Sequence, residues 1–187
     1  FVLDYLVEEV LNQQTPEVQT FLLSTSILER LCGPVCDAVA DRVGSQAVLE
    51  SLDKGNLFLI ALDDDRQWSR YHHLFGDLLR ARLQRTQAAL VPVLHRRAAA
   101  WFEQHGFIVE AVQHALVAHD LEMAADFIER HMIVLMTRGE MSTLLRWIKL
   151  LPDEVAQRRP RLLIAQGWIY TFAGNVELIA PIAQRGG

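Results

Sequence analysis

Hydrophobic residues recur every three or four positions along most of the chain, a spacing that is typical of amphipathic helices. The first helical run, from Asp4 to Leu11, ends at Gln13-Gln14. Thr15-Pro16-Glu17 then supplies an N-cap, a proline for the first helical position and a first-turn acid. Gly33-Pro34 and Gly44-Ser45 predict two further short helices. The positions predicted to face the core here are Val18, Phe21, Leu22, Leu23, Val35, Cys36 and Val39.

The period changes at Asn56, where a continuous apolar run of strand length extends to Leu62. A polar turn, Asp63–Gln67, and the alternating segment Trp68–Tyr71 follow, which predicts a β-hairpin. A helix that starts at His72 or His73 would carry Leu74, Phe75, Leu78, Leu79 and Leu83 at helical spacing. Several short helices followed by a hairpin are the order of a winged helix-turn-helix. The alternative is a plain helical bundle with Leu57–Leu62 as a buried helix turn, but the Asp63–Asp65 turn argues against it.

Beyond Ala88 the pattern is helical, and an internal repeat is visible. Glycines that could end helices stand at positions 106, 139 and 174, at spacings of 33 and 35. Aromatic residues precede Gly106 and Gly174, whereas the middle repeat lacks one. This layout is typical of degenerate tetratricopeptide-like hairpins, which stack because one hairpin cannot bury its apolar face alone. The predicted fold is therefore mainly α: a winged helix with one β-hairpin in residues 1–88, then a helical arm and antiparallel tetratricopeptide-like hairpins in residues 89–187.

Composition restricts the class of protein. Of the 187 residues, 51% are hydrophobic, enough for a globular core, and no apolar run is long enough for a membrane helix. The N-terminus lacks a signal-peptide layout, so we expect a cytoplasmic protein without membrane contact. Because apolar helical spacing starts at Phe1 without an N-cap, and an unpartnered apolar stretch precedes Gly187, we interpret both ends as cuts in a longer chain.

The charge distribution speaks against nucleic-acid binding. Residues 1–95 carry the whole net charge of −5, and residues 96–187 are neutral overall. The candidate recognition helix, Gln46–Lys54, has two acids against one lysine. Such a surface repels phosphate, so we expect no direct DNA binding by this segment.

Few residues carry catalytic chemistry. There is no phosphate-binding glycine loop, dinucleotide fingerprint or nucleophile elbow, so we predict a non-catalytic segment with no cofactor of its own. Cys32 and Cys36 share one helical face and are interpreted as small buried hydrophobic residues rather than a redox pair or half of a metal site. Asp63–Asp65 is interpreted as a solvated turn, because calcium sites need further ligands at defined positions. The scattered histidines of the repeats, His95, His105, His114, His119 and His131, are interpreted as solvated or packing residues.

His72-His73 differs from the other histidines, because it falls where the second strand meets the next helix. The first turn of a helix presents free backbone N–H groups and a partial positive charge. An imidazole held there could donate a hydrogen bond to an anion such as phosphate. The alternative is that one histidine caps the helix and the other packs.

Five runs of residues resemble MalT-like regulators, the large LuxR-type bacterial transcription factors of the signal-transducing NTPase (STAND) class. They are Asp4–Leu11, Phe21–Leu28, Arg70–Leu79, Leu94–Trp101 and Glu110–Leu116. The resemblance implies a parent with an ATPase core upstream, which binds ATP or ADP, and a DNA-binding helix-turn-helix downstream. It also implies that Tyr71-His72-His73-Leu74 is similar to a Met-His-Asp-like motif whose histidine, here His72, contacts the β-phosphate of bound ADP. His73 departs from this motif, in which the position is Asp.

Two functional hypotheses follow. In the first, the segment is a regulatory module: its winged helix responds to nucleotide held by the ATPase core of the same chain, and its repeats bind a small-molecule or protein inducer. In the second, the segment is a helical-repeat scaffold that binds a protein or ligand and has no nucleotide role.

Overall fold

The structure, a computed structural model, describes residues 9–55 and 58–172. It is mainly helical, with one two-stranded antiparallel sheet, which confirms the predicted fold class. Residues 9–12 are helical. The elements that follow are α1 (Pro16–Thr25), α2 (Gly33–Ala40), α3 (Ser45–Lys54), β1 (Leu59–Ala61), β2 (Ser69–Tyr71), α4 (His73–Gln87), a 3-10 turn (Ala88–Leu90), α5 (Val91–Gln104), α6 (Ile108–Val117), α7 (Leu121–Thr137), α8 (Met141–Leu150), α9 (Asp153–Gln157) and α10 (Pro160–Phe172).

The chain divides into two compact units, Phe1–His105 and Gly106–Gly187. The first contains the helices that surround the β-hairpin together with α5, and the second contains the helical hairpins. The domain ranges expected from the sequence, 1–88 and 89–187, stay a prediction.

Local signals determine the first helices of unit one. The hydroxyl of Thr15 accepts a hydrogen bond from the Val18 amide at 3.4 Å, and Pro16 opens α1, as predicted. Phe21, Leu22 and Leu23 are buried on this helix, whereas Val18 is only partly buried. In α2, which begins at Gly33, the predicted inward positions Val35, Cys36 and Val39 are all fully buried.

The hairpin forms where the period changed, and the helical alternative for this segment is wrong. Leu59 pairs with Tyr71 and Ala61 with Ser69 in an antiparallel register. The carboxylate of Asp63 closes the turn, since it accepts hydrogen bonds from the amides of Gln67 at 2.7 Å and Trp68 at 3.0 Å. The first strand is shorter than the apolar run that predicted it. Asn56 and Leu57 of that run lie outside the described residues.

Helix α4 packs one face on the core. Phe75, Leu79 and Leu83 are each 1% exposed and lie four residues apart, so they share a face. Leu78 is partly buried, but the prediction for Leu74 is wrong, because its side chain is 40% exposed. One helical residue corresponds to a rotation of about 100°, which turns Leu74 away from the face that Phe75 buries.

Two arginine side chains attach the later helices of unit one to its first helices. Arg97 of α5 donates to the main-chain oxygen of Val39 at 3.2 Å and to the Asp41 carboxylate at 2.9 Å, at the C-terminal end of α2. Arg80 of α4 donates to the main-chain oxygen of Ser26, just after α1, at 3.0 Å. Cations are favoured at helix C-termini because carbonyl groups there lack helical partners.

Glycines end helices as predicted at two positions, one after α5 and one after α7. Gly106 and Gly139 have φ values of 80° and 75°, a left-handed conformation that glycine adopts without a steric penalty. Gly174, the third glycine expected to end a helix, lies outside the described residues. Small residues on α6 and α7 are fully buried and allow the two helices to pack closely: Ala111, Ala115, Ala124 and Ala125.

A network of ion pairs joins α7 to the start of α10. Arg159 lies between the carboxylates of Glu122, Asp126 and Glu129, at 2.8, 2.5 and 3.2 Å. The hydrogen bond from Arg159 is the main cause of the lowered pKa of Glu122. Among the helices that the structure describes, none has the length and apolar character needed to cross a bilayer.

Candidate functional site

The candidate site lies where β2 passes into α4. Tyr71, the last strand residue, is buried, and its hydroxyl forms a 2.8 Å hydrogen bond with the Thr25 hydroxyl. Burial raises the pKa of Tyr71 well above its ordinary value, so the phenol stays protonated. Tyr71 also packs edge-on against Phe75 of α4, with ring centroids 5.7 Å apart. These contacts hold the backbone that precedes His72.

His72 is the N-cap residue of α4. Its backbone N–H donates to the main-chain oxygen of Phe58 at 2.7 Å, and its own carbonyl accepts from the Gly76 amide at 2.9 Å. Phe58 is held with φ at 57° and stacks on Phe75, with ring centroids 5.0 Å apart. The backbone of His72 is therefore fixed from both sides, by the hairpin and by the helix.

The imidazoles of the two candidate histidines lie next to each other. Their ring centroids are 4.4 Å apart at an angle of 34°. Among the residues that the structure describes, the His72 side chain makes no capping hydrogen bond to its helix. His72 is partly buried and His73 is exposed. The sequence left two roles open for His72, donation to an anion and capping of the helix. Capping by the His72 imidazole is not observed.

This arrangement is suited to an anion. A helix of 15 residues begins here, and its first-turn N–H groups have no partners within the helix. The partial positive charge of a helix N-terminus favours a negatively charged group, and imidazole N–H groups can add donors. The described residues include no cluster of three or more histidine, cysteine or acidic side chains that could hold a metal ion.

The two cysteines are placed as the sequence predicted. Cys32 and Cys36 are both buried and free. Burial is the main cause of the raised pKa of each thiol. A protonated thiol is a poor nucleophile and a poor metal ligand, so both act as small hydrophobic residues.

Within unit one, His95 and His105 lie on α5 or at its end and not at the start of α4. His95 lies in the core of unit one, where burial lowers its pKa to about 4. His105 is exposed and stacks on Trp101, with ring centroids 3.9 Å apart. His119 has a φ of 55° at the turn after α6.

The surface that a DNA-binding winged helix would use is acidic here. Helix α3 and the hairpin enclose a groove of about 280 Å³. Glu50, Asp53 and Asp65 line it, and the positive charge of Arg66 is paired with Asp53 at 2.6 Å. Carboxylates in this position disfavour a phosphate backbone.

A second pocket of unit one was not anticipated from the sequence. It has a volume of about 380 Å³ and lies between the start of α2, the hairpin turn and the end of α5. Trp68 and Trp101 form part of its wall, with ring centroids 6.4 Å apart in an edge-on arrangement. Aromatic residues at strand and helix spacing are ordinarily core residues, so only the tertiary structure reveals this pair.

Comparison with known proteins supports the architecture. Residues 7–91 match the family model of the MalT winged helix domain. The chain is also 40% identical over 183 residues to the serine/threonine-protein kinase PknK of Mycobacterium tuberculosis (strain ATCC 25618 / H37Rv) and to the protein of the same name from Mycobacterium bovis (strain ATCC BAA-935 / AF2122/97). These alignments cover 98% of this chain and 16% of each relative.

The chain thus spans about a sixth of the length of these curated relatives. The helices and hairpin that lead to His72 fall within the matched range, and so do all of α4 and the acidic groove. The matched part corresponds to a winged helix and not to a catalytic core. Residues 7–91 are therefore a winged helix domain of the MalT type.

Proposed function

We propose that this chain is a non-catalytic regulatory segment of a larger, cytoplasmic, ATP-dependent transcriptional regulator of the LuxR type. Its winged helix responds to the nucleotide held by an ATPase core in the same parent chain, and its helical repeats bind an inducer. The observation that carries the proposal is the placement of His72 at the start of α4, with its backbone fixed and its imidazole unused for capping.

The chemistry of the His72 region fits a phosphate group. The free N–H groups of the α4 first turn and the imidazole N–H are donors, and the helix dipole adds a partial positive charge. In the closed state of the parent, His72 would donate to the β-phosphate of ADP, with His73 beside it. The negative charge of the bound nucleotide would contact the start of α4 in the closed state but not in the open one, so the winged helix would respond to the bound nucleotide.

The fixed geometry of His72 would transmit the nucleotide state. The hydrogen bond from His72 to Phe58 ties the helix start to the hairpin, and the Tyr71–Thr25 bond ties it to α1. Loss of the phosphate contact would therefore change the positions of the hairpin and α1 as well as that of α4. Electrostatic attraction of this kind shifts a conformational equilibrium only when it differs between the two states.

An inducer would bind to the helical unit. Helix α10 exposes large apolar side chains at spacings of four residues: Ile164 at 59%, Trp168 at 56% and Phe172 at 67%. Trp168 and Phe172 stack with ring centroids 5.9 Å apart. An exposed apolar stripe of this kind is suited to contact with a ligand, a protein or a further part of the parent chain.

The test is the H72A variant in the full-length parent, with H105Q as the control. Removing a hydrogen bond to a charged group costs roughly 1.5–3 kcal/mol, so we expect ADP to bind about tenfold or more weakly. Basal transcriptional activity should rise. H105Q changes an exposed histidine of the same unit and should retain normal ADP affinity.

The two hypotheses predict different results for H72A. If ADP affinity and basal activity stay unchanged while the inducer still binds residues 96–187, the scaffold without a nucleotide role replaces our proposal. A salt-dependent electrophoretic mobility shift of DNA by residues 1–105 alone would contradict our proposal that this segment does not bind DNA directly.

A further inference from the structure

The pocket between Trp68 and Trp101 has the composition of a binding site for a cation. Its wall contains the two indoles and the imidazole of His105, which stacks on Trp101 at 3.9 Å between centroids. Pro34 contributes a further apolar surface. Aromatic faces carry negative electrostatic potential and attract ammonium and guanidinium groups, with tryptophan the strongest of them.

The chain itself shows that this cluster accommodates a guanidinium group. The central guanidinium carbon of Arg30 lies 4.5 Å from the centroid of the Trp68 ring and 5.9 Å from that of Phe102. Arginine suits such contacts because its guanidinium group is planar and weakly hydrated, so it can stack on a ring at little desolvation cost. The wall of the pocket is thus part of an aromatic cluster that already contacts one arginine.

The rim of the pocket carries hydrogen-bond acceptors. Asp65 is exposed at the hairpin turn and lines the opening. Arg66 also lines this pocket, and its positive charge is offset by the Asp53 carboxylate at 2.6 Å. His105 donates from Nδ1 to the main-chain oxygen of Trp101 at 2.7 Å, because a carbonyl can only accept, which leaves Nε2 as an acceptor in the neutral ring.

We propose that this pocket binds an arginine side chain from a segment of a partner protein. The guanidinium group stacks against the indoles of Trp68 and Trp101, and Asp65 accepts its N–H groups. The charge of the surroundings agrees, since residues 1–95 carry a net charge of −5. The site is separate from His72, which lies at the opposite end of β2, and it does not depend on a nucleotide.

The test uses the 187-residue chain with two short peptides, acetyl-Gly-Arg-Gly-amide and the same peptide with citrulline. Citrulline has nearly the shape of arginine without its charge. Binding is followed by the indole N–H signals in ¹H–¹⁵N NMR spectra. Titration with the arginine peptide should shift the indole signals of Trp68 and Trp101, whereas the indole signal of Trp147 should not shift. We expect the arginine peptide to bind at least about fivefold more tightly than the citrulline peptide, and this preference should shrink in high salt.

Variants of the hairpin turn separate a specific site from general acidity. D65N should weaken binding of the arginine peptide about fivefold, whereas D64N removes an equal charge from a neighbouring position and should change it less than about twofold. Equal binding of both peptides would overturn the proposal, and so would equal effects of D65N and D64N. The proposal would also be overturned if the indole signals of Trp68 and Trp101 did not shift at the highest peptide concentration.

Discussion

Thr25 and Tyr71 form a hydrogen-bonded pair in the core of the first unit. Thr25 is fully buried and also donates to the main-chain oxygen of Phe21 at 2.7 Å. Replacing Thr25 by Val keeps the shape but leaves the buried Tyr71 hydroxyl without this partner. We expect T25V to lower the free energy of unfolding by about 1–3 kcal/mol in urea titrations.

The double variant T25V/Y71F tests whether the pair is responsible. We expect the double variant to lose less stability than the sum of the two single variants, because each single change leaves one buried hydroxyl without its partner and the double change leaves none. Strictly additive effects of T25V and Y71F would show that the hydrogen bond between them contributes nothing to stability.

His95 makes the stability of the first unit dependent on pH. Burial lowers its pKa to about 4, below the value of about 6.5 expected in the unfolded chain, so the unfolded state binds the proton more readily. Stability is therefore fully present above pH 6.5 and is lost as the pH falls toward 4. Between pH 7 and pH 5 we expect a loss of about 2 kcal/mol in the free energy of unfolding.

The H95Q variant should lose most of this pH dependence, whereas H105Q should keep it because His105 is exposed. Measurement above pH 5 avoids the titration of most carboxylates. If wild-type and H95Q chains lose stability in parallel from pH 7 to pH 5, His95 is not the responsible group.

At the scale of elements, two glycines of the second unit give opposite expectations for the same substitution. Gly139 has a φ of 75° after α7, while Gly167 lies inside α10, and an added Cβ would meet no atom within 4 Å at either position. An added methyl group therefore has room at both positions, and the backbone conformation determines whether alanine stabilises or destabilises the unit. G139A should destabilise the unit by about 1 kcal/mol, and G167A should stabilise it by about 0.5–1 kcal/mol.

Thermal unfolding of the two variants in parallel checks these signs. Because they make the same chemical change in one unit, general effects of an added methyl group cancel in the comparison. An equal shift in the same direction for both would contradict the assignment of Gly139 as a conformational helix stop.

The elements that could be predicted are those with local signals. Thr15 caps α1 through its side chain, Pro16 and Pro34 restrict φ in the first turns of α1 and α2, and Asp63 closes the hairpin within its own turn. Helix α9 was not predicted, since a five-residue helix has too short a pattern to show a period. The exposure of Leu74 also escaped prediction, because the helix face that is buried depends on the elements packed against it.

The candidate site was predictable only in part, for a related reason. The change of period and the following helix located His72 at a strand-to-helix junction. The hydrogen bond of its backbone with Phe58 depends on the hairpin register, which no local pattern defines. Trp68 and Trp101 meet only through tertiary packing, so no sequence pattern indicates the pocket between them.

At the scale of the whole molecule, the position of α5 defines what can fold as the first unit. The helix follows the range 1–88 assigned to the winged helix from the sequence, yet Arg97 holds the end of α2, and Leu94, Ala98 and Phe102 are at most 1% exposed. Burial of apolar side chains contributes roughly 25 cal/mol per Å², so a chain without α5 loses a substantial part of its stabilisation.

We therefore expect a chain of residues 1–105 to unfold cooperatively in urea, and a chain of residues 1–88 to unfold at a much lower midpoint or without a cooperative transition. The physical reason is that truncation at 88 exposes the surface of α2 that α5 covers and leaves the carbonyl of Val39 without Arg97. An R97M variant of the 1–105 chain isolates the second effect. Because Arg97 is bound to both Val39 and Asp41, its replacement should lower stability by about 1–3 kcal/mol without abolishing the transition. Equal midpoints for the 1–88 and 1–105 chains would show that α5 belongs to the helical arm and that the winged helix folds without it.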